Sequence, residues 1–264
     1  MRGPHNIFRL IRTGATLERT GAMNVILDAY NAPWSLRIGA KILGWPFQWL
    51  GYKGDPTMPP ATRALTALGP AYIKFGQILS TRPDVVGDEL AVQMRVLQDK
   101  LPPFSMVDAR HMIEVELQQS LEALFSEFSS PVAAASIAQV HRGKLISDGS
   151  DVAVKVLRPG IEKAFRRDID AFYFAARMIE TLAPSARRLR PLDVISHFEG
   201  VVMGELDLRL EGSAAGEFAA NTESDAGFQV PKVNWNLSGK NVMTMDWAEG
   251  ISAGDNAALD AAGH

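Results

Sequence analysis

A short alternating run, DVAVKVL at residues 151–157, places the strongest constraint on the fold of this 264-residue chain. In strand geometry its three valines share one face, whereas Ala153 and Lys155 share the other, so the valine face needs a core to cover it. The turn signal SDGS at 147–150 joins this run to residues 132–146, which also favour a strand. The region therefore predicts part of a small antiparallel sheet.

Helical patterns lie on both sides of these strands. Apolar residues recur every three to four positions, and proline or serine residues stand where the helices begin. The order of helices, two strands, two helices and two strands predicts an α+β fold. Helices are predicted after Pro70, from Leu90 to Leu101, from Ser105, near 120–127, at 161–182 and at 191–221, and further strands at 230–235 and 241–247.

The composition excludes several classes of protein. With 47% hydrophobic and 22% charged residues, the chain can bury a core. Because it has no cysteine, it forms neither disulfides nor a cysteine-ligated metal site, and we predict no metal site from its other residues. The net charge of −3 argues against nucleic acid as the main partner.

The charge is distributed unevenly along the chain. Residues 1–53 carry seven Lys or Arg against two acidic residues, whereas the rest carries 20 basic and 28 acidic residues. This basic, amphipathic arm favours an anionic contact such as lipid headgroups, although a solvated helix face explains its charges equally well.

Residues 33–51 are the best membrane candidate. They contain Arg37, Lys41 and Pro46, which make a poor spanning helix. Their aromatic residues fit a helix that lies in the membrane interface, and a helix packed on its own domain is the slightly favoured alternative. These aromatic residues are Trp34, Trp45, Phe47 and Trp49.

Lys155 is the first candidate for chemistry. A buried lysine on a mostly apolar strand needs an anionic partner, such as nucleotide phosphates or a helix glutamate. The alternative is an edge-strand lysine that reaches water. Glu211 interrupts an apolar stripe that includes Val201, Gly204 and Leu208, so it is the natural partner unless it lies on the surface at the stripe boundary.

Two further segments could contact a ligand. The phosphate-binding patterns GxGxxG and GxxxxGK[ST] do not occur, but the alanine-rich segment 131–140 would let backbone N–H groups approach a phosphate. Read alone, it is a strand start with small residues. On the helix after Pro70, Lys74 and Gln77 share a face that could contact a ligand or polar surface, or only solvent.

Several long motifs occur in order, and together they resemble the UbiB family of atypical, protein-kinase-like proteins of ubiquinone biosynthesis. The similarity covers residues 60–251 and departs at Gly212, where the family commonly has alanine. The motifs are KFGQ at 74–77, LQDKLPPF at 97–104, AAASIAQVH at 133–141, VAVKVLRPGI at 152–161, ELDLRLEGSAAGEFAAN at 205–221 and MTMDWAEGI at 243–251.

The resemblance implies a fold and a domain order. The fold would be α+β, a protein-kinase-like N-terminal lobe with a small antiparallel sheet plus helices, preceded by a family-specific helical extension. The C-terminal lobe is expected to be absent, because no catalytic-loop Asp with a following Asn and no DFG motif occur. The domains would be the arm at 1–53, the helical extension with the KxGQ helix at 60–128, the lobe at 129–251 and the start of a second lobe at 252–264.

The resemblance also implies roles for individual residues. Lys155 and Glu211 would be the catalytic lysine and its helix glutamate, and the KxGQ helix would restrict the access of protein substrates. The regulatory residues of the KxGQ and ExD motifs would be Lys74, Gly76, Gln77, Glu205 and Asp207. The cofactor-binding residues would be Val132, Ala133, Ala134, Ala135, Ser136, Ile137, Ala138, Gln139 and Val140, with Lys155, Met245 and Trp247.

The expected function is that of the N-terminal part of a UbiB-like atypical kinase or ATPase, with ATP or ADP and Mg bound weakly if at all. Expected partners are this nucleotide, a membrane surface or isoprenoid lipid, and enzymes of ubiquinone biosynthesis. The location would be peripheral, on the cytoplasmic side of a bacterial inner membrane. Two alternatives stay open: a non-catalytic regulatory module that binds nucleotide or partner enzymes, and a helical module that binds a lipid or quinone precursor.

Overall fold

The fold is that of a computed structural model, which describes residues 5–29, 32–34, 37–38, 41, 45–98, 103–182, 184–251, 253 and 255–263. The chain forms two compact units, and each unit combines segments that are distant in sequence. The first unit comprises Met1–Pro103, Ala134–Ala138 and Arg158–Leu206, and the second comprises Phe104–Ala133, Gln139–Leu157 and Asp207–His264.

Helices dominate the described chain, and four strands form one sheet in the order β1-β2-β3-β4. The helices are α1 (His5–Thr20), α2 (Ala22–Ala29), α3 (Pro60–Leu68), α4 (Pro70–Ser80), α5 (Pro83–Val86), α6 (Asp88–Arg95), α7 (Met106–Leu117), α8 (Leu121–Leu124), α9 (Ile161–Leu182), α10 (Pro191–Glu205), α11 (Leu208–Asn221) and α12 (Asn256–Ala262). The strands are β1 (Phe125–Ala134), β2 (Ala138–Leu145), β3 (Asp151–Leu157) and β4 (Val242–Asp246), and short 3-10 turns lie at Trp45–Leu50, Val96–Gln98, Pro184–Leu189 and Trp235–Leu237.

The first unit is helical, and its core lies where α3, α4 and α6 meet. Aromatic rings join α4 to α9 and α10, because Phe75 of α4 contacts both Phe172 and Phe198. The buried core residues are Ala61, Ile73, Val86, Leu90, Ala91, Met94 and Leu97.

The basic arm packs within the first unit through its arginines. Arg9 donates hydrogen bonds to the carbonyl of Arg167 at 2.6 Å and to Asp168 at 3.3 Å, and Arg19 donates to the carbonyl of Gly51 at 2.9 Å. These two arginines thus contact the protein itself, and lipid contact by the arm stays a prediction. Residues 35–36, 39–40 and 42–44 of the predicted interfacial segment, and the side chain of Trp45, lie outside the described residues.

The second unit builds its core on one face of the sheet. The side chains of Val152, Val154 and Val156 are buried there against Val242 of β4 and Ile113 of α7, as the alternation in β3 predicts. The fold class is therefore confirmed as α+β with a small antiparallel sheet. Within the described ranges, no helix is both long and apolar enough to cross a bilayer.

The cap of α7 also follows the sequence prediction. The Ser105 hydroxyl accepts a hydrogen bond from the backbone N–H of Asp108 at 3.1 Å and donates one to the Asp108 carboxylate at 2.7 Å. The helix predicted to reach Leu101 ends at Arg95 in a 3-10 turn, and Leu101 lies outside the described residues.

Two strand predictions are wrong. Residues 132–146 do not form one strand, because the chain reverses between β1 and β2 and the N–H of Ala135 binds the carbonyl of Ala138 at 2.8 Å. β1 also begins at Phe125, which leaves only one helical turn of the helix predicted near 120–127. The strand predicted at 230–235 is reduced to an isolated bridge between Val233 and Met245.

The single helix predicted at 191–221 is also wrong, since α10 and α11 are separate helices. The break falls at Leu206 and Asp207 rather than at one of the glycines. Asp207 adopts an extended conformation, and its carboxylate accepts the backbone N–H of Arg209 at 3.2 Å, so it is the N-cap of a new helix.

Candidate functional site

Lys155 and Glu211 form a close ion pair in the second unit. Lys155 Nζ lies 2.6 Å from Glu211 Oε1 and 2.7 Å from Oε2, so the amine contacts both carboxylate oxygens. The two side chains are 27% and 44% exposed, and the pair therefore remains open to a ligand from solvent. The pairing predicted from the sequence is present, whereas the chemical roles of the two residues stay a prediction.

The position of each partner follows from its own element. Lys155 is in the middle of β3 and points away from the valine core, because side chains alternate along a strand. Glu211 lies in the first turn of α11, where the helix dipole stabilises a carboxylate. The start of α11 is fixed by the buried Leu208, whose N–H binds the carbonyl of Lys240 at 3.0 Å.

The apolar stripe predicted around Glu211 is wrong in part. Val201 and Gly204 belong to α10 and cannot share a helix face with Glu211 of α11. Leu208 is fully buried, but Phe218, which the predicted stripe also included, is 50% exposed. Glu211 is thus an accessible residue near a helix start and not a carboxylate set into an apolar stripe.

An apolar surface lies beside the lysine on the same face of the sheet. In the β3–β4 register, Lys155 is opposite Met243 and Ala153 is opposite Met245, and opposite residues of antiparallel strands project to the same side. Met243 is buried and Met245 is half-buried. Ala153 and Met243 were absent from the predicted site, although the alternation around Lys155 already placed Ala153 on its face.

Gly212, the departure from the family pattern, leaves room for an aromatic ring. A Cβ at this position would lie 2.9 Å from Cη2 of Trp235 and 3.5 Å from Sδ of Met243. Trp235 thus occupies space that an alanine would need. Packing against Trp235 and Met243 in the second unit therefore explains why a glycine stands next to Glu211.

The alanine-rich segment is divided between the two units. Ala134–Ala138 groups with the first unit, where the Arg158 guanidinium donates hydrogen bonds to the Ala135 carbonyl at 3.1 and 3.3 Å. The Arg158 N–H also binds the carbonyl of Ile137 at 2.8 Å. Val132, Ala133 and Ala135 are exposed, whereas Ser136 and Ala138 are buried and Ala134, Ile137 and Val140 are half-buried.

Gln139 has a structural role that its place in the predicted set did not anticipate. Its side chain is fully buried, its Oε1 accepts the N–H of Phe104 at 2.9 Å, and its Nε2 lies 2.9 Å from Nε2 of His141. His141 Nδ1 lies 2.9 Å from the carbonyl of Ser129. Because a carbonyl only accepts, His141 carries its proton on Nδ1 and accepts the Gln139 amide at Nε2.

The chain that follows β4 contains Trp247, one of the predicted cofactor-binding residues. Its N–H binds the carbonyl of Asp151 at 3.2 Å, and its indole Nε1 donates to Glu249 at 2.8 Å. The Arg142 guanidinium lies over the indole, 4.9 Å from the ring centroid. The half-buried ring is therefore held by neighbours that no sequence motif indicated.

The KxGQ residues lie in the first unit and contact their own unit. Lys74 Nζ lies 2.6 Å from Glu205 Oε2, and Gln77 Nε2 donates to the carbonyl of Leu97 at 2.7 Å. Gly76 is packed so closely that a Cβ would lie 2.6 Å from both Leu65 Cδ1 and Leu97 Cδ1. These side chains thus contact the protein and are not a freely solvated helix face.

The two acidic residues of the ExD motif have different neighbours. Glu205 ends α10 in the first unit and pairs with Lys74, whereas Asp207 caps α11 in the second unit and binds the Arg209 side chain at 2.6 and 2.8 Å. The Arg209 guanidinium holds the pKa of Asp207 below its usual value. The described residues contain no group of three or more His, Asp or Glu side chains arranged to hold a metal ion.

Comparison with known proteins identifies the family. Residues 96–264, more than half of the chain, match the ABC1 atypical kinase-like domain. Proteins named "Probable protein kinase UbiB" are 41% identical over 76% of this chain in Marinobacter nauticus, 38% over 99% in Shewanella baltica and 39% over 94% in Pseudomonas paraeruginosa. The chain spans only 37% of the first relative and 46% of the other two.

A solved structure is also similar. The complex of Rv3197 with erythromycin from Mycobacterium tuberculosis is 32% identical, with a TM-score of 0.49, and the match covers 67% of this chain and 44% of that chain. The resemblance predicted from the sequence motifs is confirmed by the family match and by the UbiB relatives. The chain therefore belongs to the ABC1 atypical kinase-like family, and proteins named UbiB are among its relatives.

Proposed function

We propose that this chain is the nucleotide-binding part of a UbiB-like atypical kinase or ATPase that supports ubiquinone biosynthesis. The observation that carries the proposal is the contact of Lys155 Nζ with both carboxylate oxygens of Glu211. A lysine held by a helix glutamate is the arrangement that kinase-like proteins use to orient nucleotide phosphates. Family membership supports the same assignment.

The residues on the Lys155 face fit a magnesium nucleotide in chemical terms. Lys155 offers a cation for phosphate oxygens, Glu211 keeps that cation in one position, and Ala153 and Met245 offer an apolar surface for a flat base. That backbone N–H groups of the segment 132–140 add donors to the phosphates stays a prediction from the sequence, because Ala134–Ala138 belongs to the first unit and Lys155 to the second. Magnesium would enter the site with the nucleotide and would neutralise part of the phosphate charge, since the described residues offer no carboxylate cluster to hold it on their own.

Thermal unfolding with and without MgATP or MgADP tests this proposal. At a ligand concentration near 100 Kd, binding should stabilise the 264-residue chain by about 2.7 kcal/mol. Lys155→Ala and Glu211→Gln should remove or strongly reduce the stabilisation. Lys163→Ala, which removes an exposed lysine of α9, is the matched control and should respond like the unmodified chain.

The proposal fails if the unmodified chain shows no stabilisation, or if Lys155→Ala responds as strongly as Lys163→Ala. An unfolded Lys155→Ala variant would not decide the matter, so Lys155→Arg serves as the second variant. Arginine keeps the charge but places it on a larger planar group, and it should bind nucleotide more weakly than lysine.

A second function is favoured by the exposed aromatic residues of the arm, and we propose peripheral attachment to the cytoplasmic side of a bacterial inner membrane. Trp34 and Trp49 are each 75% exposed, and Phe47 is 41% exposed. Exposed tryptophans beside cations such as Lys41 fit the headgroup region of an anionic bilayer. An isoprenoid lipid in the same layer would be the accompanying ligand.

Co-sedimentation with vesicles that contain anionic phospholipid tests the attachment. The double substitution Trp34→Ser with Trp49→Ser should reduce the bound fraction. Phe228→Ser, at a 52% exposed aromatic residue outside the arm, should leave it unchanged. Equal binding by all three proteins would overturn this second proposal and leave the nucleotide proposal untouched.

A further inference from the structure

Arg142 of β2 contacts three residues around the end of β4. Its Nε and Nη2 atoms lie 3.3 and 3.2 Å from the two carboxylate oxygens of Asp151, and Nη2 is 3.3 Å from Oε1 of Glu249. Its guanidinium carbon is 4.9 Å from the centroid of the Trp247 ring. One side chain thus links the start of β3 to the chain that leaves β4.

The same neighbours also bind Trp247 directly. The backbone carbonyl of Asp151 accepts the backbone N–H of Trp247 at 3.2 Å, and the carboxylate of Glu249 accepts its indole N–H at 2.8 Å. Asp151 and Glu249 therefore each contact both Arg142 and Trp247. The four residues form a closed network around the backbone from Trp247 to Glu249.

The network lies on the side of the sheet that carries Lys155. In β2, His141 and Leu145 are buried on the core side, and Arg142 alternates with them. In β3, Val154 is buried on the core side and Lys155 alternates with it. Both strands turn the same side of the sheet toward the core, so Arg142 and Lys155 both project from the opposite side.

Exposure indicates that this network contributes little to stability. The side chains of Arg142, Asp151 and Glu249 are 41%, 43% and 76% exposed, and exposed ion pairs add little to the free energy of folding. Contact with two carboxylates and with the face of an aromatic ring nevertheless gives the Arg142 guanidinium a defined orientation. We therefore look for its effect in the joint arrangement of Trp247, Glu249 and the short segment between them, since Arg142 contacts both residues at once.

We propose that Arg142 is a positioning residue that fixes the chain after β4 and thereby sets the base preference of the nucleotide site. The inference rests on the proposed nucleotide binding. Base identity is read by hydrogen bonds from backbone or side-chain groups, and such groups discriminate only when they are held to within about 0.5 Å. Ala248, between Trp247 and Glu249, belongs to the segment that this network holds.

Competition measurements of the affinities for MgATP and MgGTP test the inference on the 264-residue chain. The unmodified chain should distinguish the two nucleotides, and Arg142→Gln should reduce their affinity ratio by about threefold to tenfold, the effect expected when a cation–π contact and its ion pairs are lost. Lys155→Ala should weaken both nucleotides alike and leave the ratio unchanged, because phosphates are common to both.

Arg166→Gln is the matched control for the loss of an exposed arginine. Arg166 of α9 donates two hydrogen bonds to Glu162 at 2.8 and 3.0 Å, and its removal should change neither affinity nor ratio. Glu249→Gln is the second variant in case Arg142→Gln does not fold. It alters the most exposed carboxylate of the network and should reduce the ratio by about twofold to threefold.

The outcomes separate this inference from the function on which it rests. An affinity ratio that is unchanged in both Arg142→Gln and Glu249→Gln overturns the inference, as does an unmodified chain that binds ATP and GTP equally. In both cases nucleotide binding itself stands. If the unmodified chain binds neither nucleotide, the proposed function fails and the inference fails with it.

Discussion

Glu116 of α7 binds Asn241, the residue before β4, through both carboxylate oxygens. Oε1 accepts the backbone N–H at 3.2 Å, and Oε2 accepts the side-chain amide at 2.7 Å. The carbonyl of Asn241 in turn accepts the N–H of Leu157 at 2.9 Å, at the end of β3. Gly239 passes so close that a Cβ would overlap the Glu116 carboxylate. The pair therefore joins α7 to β4, the strand that pairs with the Lys155 strand β3.

Glu116→Ala should destabilise the protein by about 1–3 kcal/mol, because it leaves the partly buried N–H and amide of Asn241 without their acceptor. Urea unfolding measures the loss. Glu217→Ala, at an exposed position of α11, is the control and should change stability by less than about 0.5 kcal/mol. Equal stability of the two variants would contradict this account of the pair.

Local signals in the sequence predicted the elements that local interactions determine. The alternation in β3, the proline that opens α4 and the Ser105 cap of α7 each depend on residues within one turn or strand. The break before α11 was missed, since the apolar pattern continues across Asp207 while its carboxylate caps a new helix. The reversal between β1 and β2 was missed because no glycine or proline marks it.

The candidate site likewise has one part that could be predicted from the sequence and one part that could not. The pairing of Lys155 with Glu211 was predictable, because a lysine on a mostly apolar strand needs an anionic partner, and the family resemblance implied the same pair. The Arg142 network was not predictable. Its contacts depend on which residues of β2 and β3 are neighbours and on the chain after β4, and strand register cannot be read from a sequence without the pairing.

Gly76 should be sensitive to the smallest added side chain. A Cβ there would lie 2.6 Å from methyl carbons of both Leu65 and Leu97 in the first unit, so Gly76→Ala should cost about 1–3 kcal/mol through overpacking. Gly200→Ala is the matched control, since it is also helical and has no atom within 4 Å of its Cβ. It should instead stabilise by about 0.5–1 kcal/mol in thermal or urea unfolding. The same loss in both variants would refute the packing explanation.

His141 should make stability depend on pH. Burial lowers the pKa of His141 below its ordinary value, although the hydrogen bond to Ser129 acts in the opposite direction. Protonation would place an N–H at Nε2 against the amide donor of Gln139 and would break the network to Phe104. The folded protein therefore favours the neutral ring.

Below a pH of about 6.5, the unfolded chain takes up a proton at His141 that the folded chain does not, so the free energy of unfolding should fall as the pH decreases. The slope attributable to this residue is at most about 1.4 kcal/mol per pH unit. Urea unfolding from pH 5 to 8 measures it, and His141→Gln should flatten this part of the profile. His111→Gln, at an exposed position of α7, should not, and the opposite result would exclude His141 as the cause.

Gly212 and Trp235 should be energetically coupled. In the unmodified protein, Gly212→Ala gains helix propensity of about 0.5–1 kcal/mol but displaces the Trp235 ring, which lies 2.9 Å from the new Cβ. The two effects oppose each other, so the net change should be near zero. With Trp235→Ala the ring is gone, and Gly212→Ala should then show its full stabilising effect. A double-mutant cycle in urea unfolding measures the difference, and additivity would mean that the ring does not explain the glycine.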